Sequence, residues 1–209
     1  MERCKVHNVM RLWVLMLMMV VCVPRSIPPA RAATREYEIK AGFIYNFFRF
    51  IEWPSPGQTW TVGILGSDPF EGGLRDFEAR PVSGKTIIIK KINDVKDAKG
   101  CDVVYIGPSE SGRLNPLLNS LKGSPVLTIS DLPEFADKGG AIGLTTESNR
   151  VRFVVNIDTL KQGNMRANAR FLQLASRTIT ASQTPDEILK AVTFSRPSDD
   201  KLIQELFGL

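Results

Sequence analysis

Residues 124–156 read SPVLTISDLPEFADKGGAIGLTTESNRVRFVVN, and they predict a strand, a polar corner and a hairpin in succession. The apolar run 126–129 ends at Ser130-Asp131, and both of these residues favour turns and helix N-caps. The run is therefore predicted to be a buried strand rather than a piece of helix. Pro133 is placed to begin a short helix, which Gly139-Gly140 would end.

A β-hairpin is predicted directly after this polar corner. Its strands are 141–145 and 150–156, and the polar loop 146–149 connects them. Residues in the second strand alternate, with Val151, Phe153 and Val155 on one face, as in a strand that has one buried side. In an open α/β sheet, ligands tend to sit beside strand ends of this kind.

Earlier in the chain, strands alternate with helix-like stretches. Strands are predicted at 60–65, 86–92 and 102–106, and helical stretches at 35–53, 70–77, 109–121, 157–162 and 168–178. Pro116 falls inside the third helical stretch, so the start of that stretch is expected to be a separate turn. The rhythm favours βα crossovers. We expect an α/β fold: a single compact Rossmann-like domain with a largely parallel sheet, an antiparallel hairpin at its margin, and helices on both faces.

The first 33 residues have the pattern of a cleavable secretory signal. Arg3, Lys5 and Arg11 precede or flank the apolar run 12–23, and Ala30-Arg31-Ala32 offers small residues before a cut near residue 33. The run of 12 residues is shorter than the roughly 20 that a membrane-spanning helix needs. We therefore expect residues 1–33 to be removed, residues 34–179 to form the domain, and residues 180–209 to be a helical or partly disordered extension.

The basic character of the chain comes largely from this leader. The chain has 27 Lys and Arg and 22 Asp and Glu, and residues 1–33 hold five of the former and one of the latter. The remainder has 22 basic and 21 acidic residues, a net charge of +1. Nucleic-acid binding needs a basic stripe on the folded domain, so no nucleic-acid partner is expected.

Most common catalytic residue types are also confined to the leader. The only histidine is His7, and two of the three cysteines precede residue 33, which leaves Cys101. The exported chain therefore has no Ser-His-Asp triad, no Cys-His pair and no zinc site of the usual Cys/His kind. Cys101 alone has no partner for an internal disulfide. We expect no metal and no cofactor.

The helix predicted at 35–53 is rich in aromatic residues. An apolar stripe at i, i+4 steps is predicted to pack across the sheet; it comprises Ile39, Phe43, Phe47 and Ile51. Tyr45, Asn46 and Trp53 are expected outside this core, where a partner or a ligand could contact them.

At this point the chain resembles a known family, the YfiR-like periplasmic proteins. No single motif is specific, but their order and spacing match from about residue 36 to residue 179. The motifs are FIEWP at 50–54, VGILG at 62–66 followed by Asp68-Pro69-Phe70, CDV at 101–103, VLTISD at 126–131, Phe135 before Gly139-Gly140, Arg152-Phe153 with Asn156, and LQLA at 172–175.

The resemblance implies an exported α/β domain without enzymatic activity. Members of the best-known branch repress a membrane diguanylate cyclase through its periplasmic part, which lowers cyclic di-GMP and biofilm formation, and they tend to form homodimers. The members of that branch resemble one another in bearing disulfides and responding to redox state. Here Cys101 is the single cysteine after the leader, so redox sensing through an internal disulfide is not expected, and a disulfide between two chains through Cys101 stays open. The tail from Thr180 lies outside the family pattern. After signal cleavage no insertion into the membrane is expected.

Three hypotheses about function follow. In the first, which we favour, the protein is a regulator that binds a partner. Its small-ligand or partner site would be held around the loop end of the sheet by Ser130, Asp131, Phe135, Arg152 and Asn156, each of which has a purely structural alternative. Asp131, for example, could simply cap a helix.

The second hypothesis is a periplasmic binding module for a small anion or nucleotide fragment. The N-terminus of a helix after Asp68, together with Arg152, Arg166 and Arg170, would supply the donors. The glycines nearby match neither G-x-G-x-x-G nor the P-loop. The third hypothesis is an enzyme with Asp131 or Glu134 as acid or base and Cys101 as nucleophile, although a cysteine that opens a strand is usually a small buried hydrophobe.

Overall fold

The computed structural model describes residues 29–54 and 57–180, with side chains from Thr34 onward. The chain divides between Ala33 and Thr34, and the packing described below lies within the second unit. Most of the predicted leader and the tail from residue 181 lie outside the described residues. The helices are α1 (Pro29–Phe50), α2 (Val95–Ala98), α3 (Leu114–Leu121), α4 (Ile157–Gln162) and α5 (Ala169–Leu174), with 3-10 helices at Arg75–Phe77 and Pro108–Arg113. The strands are β1 (Ile51–Glu52), β2 (Thr59–Leu65), β3 (Thr86–Ile92), β4 (Val103–Ile106), β5 (Leu127–Ser130), β6 (Ile142–Glu147), β7 (Arg150–Asn156), β8 (Arg166–Ala167) and β9 (Arg177–Ile179).

Within the described part of the chain, seven strands form one sheet in the order β3-β2-β4-β5-β6-β7-β9. Only the β6–β7 hairpin in this sheet is antiparallel, and the other ladders are parallel. This confirms the predicted α/β fold with a largely parallel sheet. β9 pairs with the outer side of β7, so the hairpin lies one strand inside the margin.

Both faces of the sheet are covered, as predicted. β4 and β5 are buried along their whole length, which is typical of inner parallel strands. Val103 and Tyr105 of β4 face a core that α1 covers, whereas Val104 and Ile106 face a second core that α3 covers. Successive side chains of each strand thus enter opposite layers.

Aromatic rings fill much of the α1 layer. Phe47 lies with its ring centre 5.5 Å from that of Phe153 and 5.3 Å from that of Phe171. Phe43 contacts Phe153 at 5.7 Å. Large rings in tilted or edge-on contact bury extensive apolar area, so the predicted aromatic stripe forms the core between α1 and the sheet.

Two predicted helices end earlier than expected because their last residues pair as strands. The helix predicted at 35–53 stops at Phe50, and Ile51 and Glu52 pair with β8. The helix predicted at 168–178 stops at Leu174, and Arg177–Ile179 pairs with β7. Pairing with a distant strand outweighs local helical spacing in both places.

Two other predicted helices are turns. Residues 70–77 form turns and the 3-10 helix Arg75–Phe77, and residues 133–139 form turns that end before β6. In contrast, the prediction that the stretch 109–121 starts with a separate turn is confirmed, because the 3-10 helix Pro108–Arg113 precedes α3, and Pro116 lies in the first turn of α3. No helix among the described residues is long and apolar enough to cross a membrane.

Candidate functional site

Polar side chains meet where β4 and β5 end. Asp131 follows directly on β5, and Tyr105 lies near the end of the neighbouring parallel strand β4. The hydroxyl of Ser130 fixes the chain at this point, since it donates to the carbonyl oxygen of Ile106 at 2.6 Å and accepts from the backbone N–H of Leu132 at 3.2 Å. The carboxyl edge of an open α/β sheet is where ligands usually bind.

Asp131 lies at the centre of a hydrogen-bond network. Its Oδ2 accepts from the hydroxyl of Tyr37 at 2.8 Å and from Nζ of Lys40 at 2.8 Å. Its Oδ1 accepts from the hydroxyl of Tyr105 at 2.8 Å. Lys40 also forms an ion pair with Glu36 at 2.6 Å. We refer to Glu36, Tyr37, Lys40, Tyr105 and Asp131 as the Asp131 network.

Helix α1 supplies three of these five residues. Glu36 and Lys40 are spaced i, i+4 with the acidic residue first, which is the favourable order on a helix. The ammonium of Lys40 lies 4.5 Å from the ring centre of Tyr37, within range of a cation–π contact. Glu36 in addition accepts from the hydroxyl of Thr146 in β6 at 2.8 Å. The network therefore ties α1 to the sheet at β4, β5 and β6.

The two carboxylates of the network are held in the charged form. Burial alone would raise the pKa of Asp131, but hydrogen bonds from Lys40 and Tyr105 and the charge of Lys40 outweigh it, so this pKa lies below its usual value. The pKa of Glu36 is also lowered, because Lys40 and the hydroxyl of Thr146 outweigh its burial. Opposite charge and hydrogen bonding both favour the ionised form of a carboxyl group.

The two phenols of the network stay protonated. Burial and the carboxylate of Asp131 raise the pKa of both Tyr37 and Tyr105 well above the usual value. The ring of Phe70 packs edge-on against both, with centres 5.6 Å from Tyr37 and 4.7 Å from Tyr105. Both oxygens of Asp131 thus accept hydrogen bonds from donors that remain protonated. The network therefore has a structural role, which is to hold α1 in position against the sheet.

The sheet divides the residues that were predicted to form one site. Asp131 contacts α1, whereas Phe135 belongs to the core on the opposite face. Asn156 is buried and donates from Nδ2 to the carbonyl oxygen of Ala136 at 2.9 Å on that opposite face. Arg152 is half-buried on β7 beside Thr145. The prediction that these residues surround a single loop-end site does not match their placement.

Two of the three α1-region residues expected outside the core are buried. Asn46 is 5% exposed and donates to the carbonyl oxygen of Gly42 at 2.9 Å. Trp53 packs against Trp60, with ring centres 4.9 Å apart, because the chain leaves its helical path after Phe50. Tyr45 is half-buried, as expected of a residue at the edge of the core.

The sequence carried a partial signal for the residues that were missed. Lys40 precedes the buried Ile44 and Phe48 at i, i+4 steps, so a lysine occupies the inward phase of α1. A lysine at such a position is buried only when it is paired, which calls for a distant carboxylate. Nothing local identifies that carboxylate as Asp131, which is 91 residues away.

The loops after β2 and β4 pack directly against each other. The backbone N–H of Ser67 donates to the hydroxyl of Ser109 at 2.9 Å. A Cβ on Gly107 would lie 2.1 Å from the carbonyl oxygen of Ser67. The strand order reverses between β2 and β4. In other open α/β sheets, nucleotides bind in the crevice at this point of reversal. Residues 69–74 form turns in place of the helix predicted after Asp68, so the hypothesis of a small-anion or nucleotide-fragment site loses one of its proposed donors, the helix N-terminus.

Cys101 is a buried thiol beside the second core. It is 7% exposed, and burial raises its pKa. Reactive cysteines need a lowered pKa and exposure, so the geometry does not favour Cys101 as a nucleophile or as a site of disulfide exchange. Within residues 34–54 and 57–180, no group of three or more His, Cys, Asp or Glu side chains is placed to hold a metal.

Comparison with solved structures finds matches of low identity. A conserved domain protein from Vibrio cholerae O1 biovar El Tor strain N16961 matches 68% of this chain and 60% of its own length, with 10% identity and a TM-score of 0.49. The ABC domain in complex with L-Trp from Streptococcus pneumoniae matches 57% of this chain and 55% of its own, with 11% identity and a TM-score of 0.44. This chain therefore spans 60% or less of those two proteins, and scores at this level carry no functional information.

A comparison with family models gives a broader match. The model described as YfiR/HmsC-like matches residues 37–176. That range begins at Tyr37 in α1 and ends one residue before β9, so it includes four of the five residues of the Asp131 network.

Proposed function

Because this chain belongs to the YfiR/HmsC-like family, we propose that it is an exported, non-enzymatic regulator that binds the periplasmic part of a membrane diguanylate cyclase and represses it. Repression lowers cyclic di-GMP and with it biofilm formation. The observation that carries this proposal is the family match over residues 37–176, which spans nearly all of the described domain. The charged leader and apolar run of residues 1–33 support export.

The proposed contact surface for the cyclase is centred on Tyr45. Its ring stacks on that of Phe77 with centres 4.7 Å apart, and Arg80 lies 5.8 Å from the centre of the Phe77 ring. Tyr45 and Phe77 are half-buried and Arg80 is exposed. Aromatic residues and arginine dominate the binding energy of protein interfaces, and rings that are already stacked lose little conformational freedom on binding.

The remaining predicted site residues have indirect roles in this proposal. Asn46 and Trp53 are buried, and Ser130 and Asp131 fix the chain segment that bonds to α1. They would preserve the shape of the contact surface rather than touch the partner. Phe135 and Asn156 hold the turns on the opposite face, where Arg152 is also located. A homodimer, if it forms, would present two such surfaces.

The proposal is tested by measuring intracellular cyclic di-GMP in a strain deleted for this gene. Deletion is expected to raise the nucleotide. The full chain is expected to restore the low level, and a chain lacking residues 2–33 is not, because it would stay in the cytoplasm. An unchanged level after deletion, or equal rescue by the chain without its leader, would contradict repression from the periplasm.

The contact surface is tested in the same strain with Tyr45→Ala and Arg80→Ala. Both variants are expected to be exported and folded but to leave cyclic di-GMP high, because the aromatic anchor or its neighbouring cation is lost. Lys96→Ala is the matched control, since Lys96 is an exposed residue of α2 on the opposite face of the sheet. Full repression by the Tyr45 variant would show that the cyclase binds elsewhere.

A further inference from the structure

A polar cleft of about 240 Å³ lies between α3 and α4. The buried polar residues Thr128 and Asn156 line it, and its apolar lining includes Leu118 and Val126. The charged side chains that line the cleft are the exposed Lys122 and Lys138 and the half-buried Asp158. This surface belongs to the face of the sheet opposite α1, so it is separate from the Asp131 network and from the Tyr45 surface.

The described chain ends beside this cleft. Ile179 is the register partner of Asn156 in the β7–β9 ladder, and paired residues in a sheet are about 5 Å apart. Thr180 follows, and then the 29 residues 181–209. Because Asn156 itself lines the cleft, the segment 181–209 begins within a few residues of it.

The net charge of this segment is opposite in sign to that of residues 34–180 and to that of the cleft lining, where two lysines outnumber Asp158. Residues 181–209 contain five acidic and three basic side chains, a net charge of −2, whereas residues 34–180 carry 19 basic and 16 acidic side chains, a net charge of +3. Asp186 and Glu187 follow Pro185, six and seven residues beyond Thr180. An extended chain of that length reaches roughly 20 Å, which is ample to cross a cleft of this size.

The same segment has an apolar side that suits the cleft lining. Ile188 and Val192 are spaced i, i+4 after the acidic pair, as in an amphipathic stretch. Lys138 forms an exposed ion pair with Glu134 at 3.4 Å and donates to the carbonyl oxygen of Pro133 at 3.1 Å. Exposed pairs of this kind contribute little to stability, so Lys138 can exchange them for another carboxylate.

We propose that residues 181–209 of this chain bind this cleft, with the carboxylates of Asp186 and Glu187 against Lys122 and Lys138 and with Ile188 toward the apolar lining. The segment lies beyond the family match, which ends at residue 176. Binding of this segment to the cleft does not depend on the proposed repression of a cyclase.

Zero-length carbodiimide crosslinking of the full mature chain, residues 34–209, tests the proposal. The reagent couples a carboxylate to an ammonium group only when the two are in contact, and mass spectrometry identifies the joined peptides. Crosslinks from Asp186 or Glu187 to Lys122 or Lys138 are expected to be several-fold more abundant than those to Lys96 and Lys99, which are equally exposed. An even distribution over all four lysines would overturn the proposal.

A reciprocal exchange of charge supplies the second test. In the double variant Glu187→Lys with Lys138→Glu, the crosslink between the two positions is expected to persist. In the matched double variant Glu187→Lys with Lys96→Glu, no crosslink between the exchanged positions is expected. Mixing isotopically labelled and unlabelled chains distinguishes contacts within one chain from contacts between two. Crosslinks found only between labelled and unlabelled chains would make a second copy the occupant and contradict binding within the chain.

Discussion

At the scale of single residues, the pair of Lys40 and Asp131 dominates the polar interior. Their side chains are only 4% and 8% exposed. Removing one partner of a buried pair leaves the other charge uncompensated, which typically costs about 3–5 kcal/mol. Because Lys40 would keep Glu36 as a partner, we expect Asp131→Asn to lower the free energy of unfolding by about 3 kcal/mol, the lower end of that range, as measured by urea denaturation.

Asp137→Asn is the matched control for this prediction. Asp137 forms a two-bonded ion pair with Arg177, but the two side chains are 41% and 52% exposed. Exposed pairs contribute about 1 kcal/mol or less. If Asp131→Asn and Asp137→Asn lowered the free energy of unfolding equally, burial would not explain how much the Lys40–Asp131 pair contributes to stability.

At the scale of elements, the contact between the loops after β2 and β4 depends on the absence of a side chain at residue 107. Gly107 has a φ of −71°, which any residue adopts, so the constraint is space and not backbone conformation. The carbonyl oxygen of Ser67 would lie 2.1 Å from an added Cβ. Gly107→Ala is therefore expected to destabilise the protein by about 1–3 kcal/mol through overpacking, measured by thermal or urea unfolding.

Gly112→Ala provides the comparison for this substitution. No atom lies within 4 Å of a Cβ added at Gly112, in the 3-10 helix that follows the same loop. Alanine there is expected to leave stability unchanged or to raise it slightly, by reducing the freedom of the unfolded chain. A similar loss of stability in both variants would mean that the backbone near Gly107 shifts to admit a Cβ at little cost.

At the scale of the whole molecule, the network makes stability depend on pH at both extremes. Glu36 and Asp131 have lowered pKa values in the folded state. Their stabilisation is present above the unfolded pKa, near 4, and is lost as the pH falls through the folded values. Tyr37 and Tyr105 have raised pKa values. Their contribution is complete below the unfolded pKa of about 10 and is lost as the pH rises above it.

Unfolding free energies measured from pH 2 to 11 check this prediction. In Asp131→Asn the acid decline is expected to be shallower than in the wild type, because one carboxylate no longer titrates. Asp102 acts in the opposite direction, since burial raises its pKa and so makes its ionised form less favourable in the folded than in the unfolded chain. Asp102→Asn is therefore expected to steepen the acid decline, and identical curves for all three proteins would refute the assignment.

Local patterns in the sequence were sufficient for most of the architecture. The β-branched and apolar runs in β3, β4 and β5 form strands as predicted, because a buried strand must place apolar side chains on both faces. The alternation in β7 and the loop before it likewise specified the hairpin. The prediction of helices at 70–77 and 133–139 was wrong: these residues form turns, because packing against the sheet outweighs local helical spacing.

Side chains a few residues apart were thus enough to predict strands β2 to β7, the position of α1 and its apolar face, but not the short strands β1, β8 and β9. Long-range packing brings Asp131 into contact with Tyr37 and Lys40, which are 94 and 91 residues away. It also decided that Asn46 and Trp53 are buried and that Arg177–Ile179 becomes an edge strand. The physical reason is the same in each case: the free energy of burying a polar or aromatic group depends on partners that the fold, and not the local chain, brings into contact.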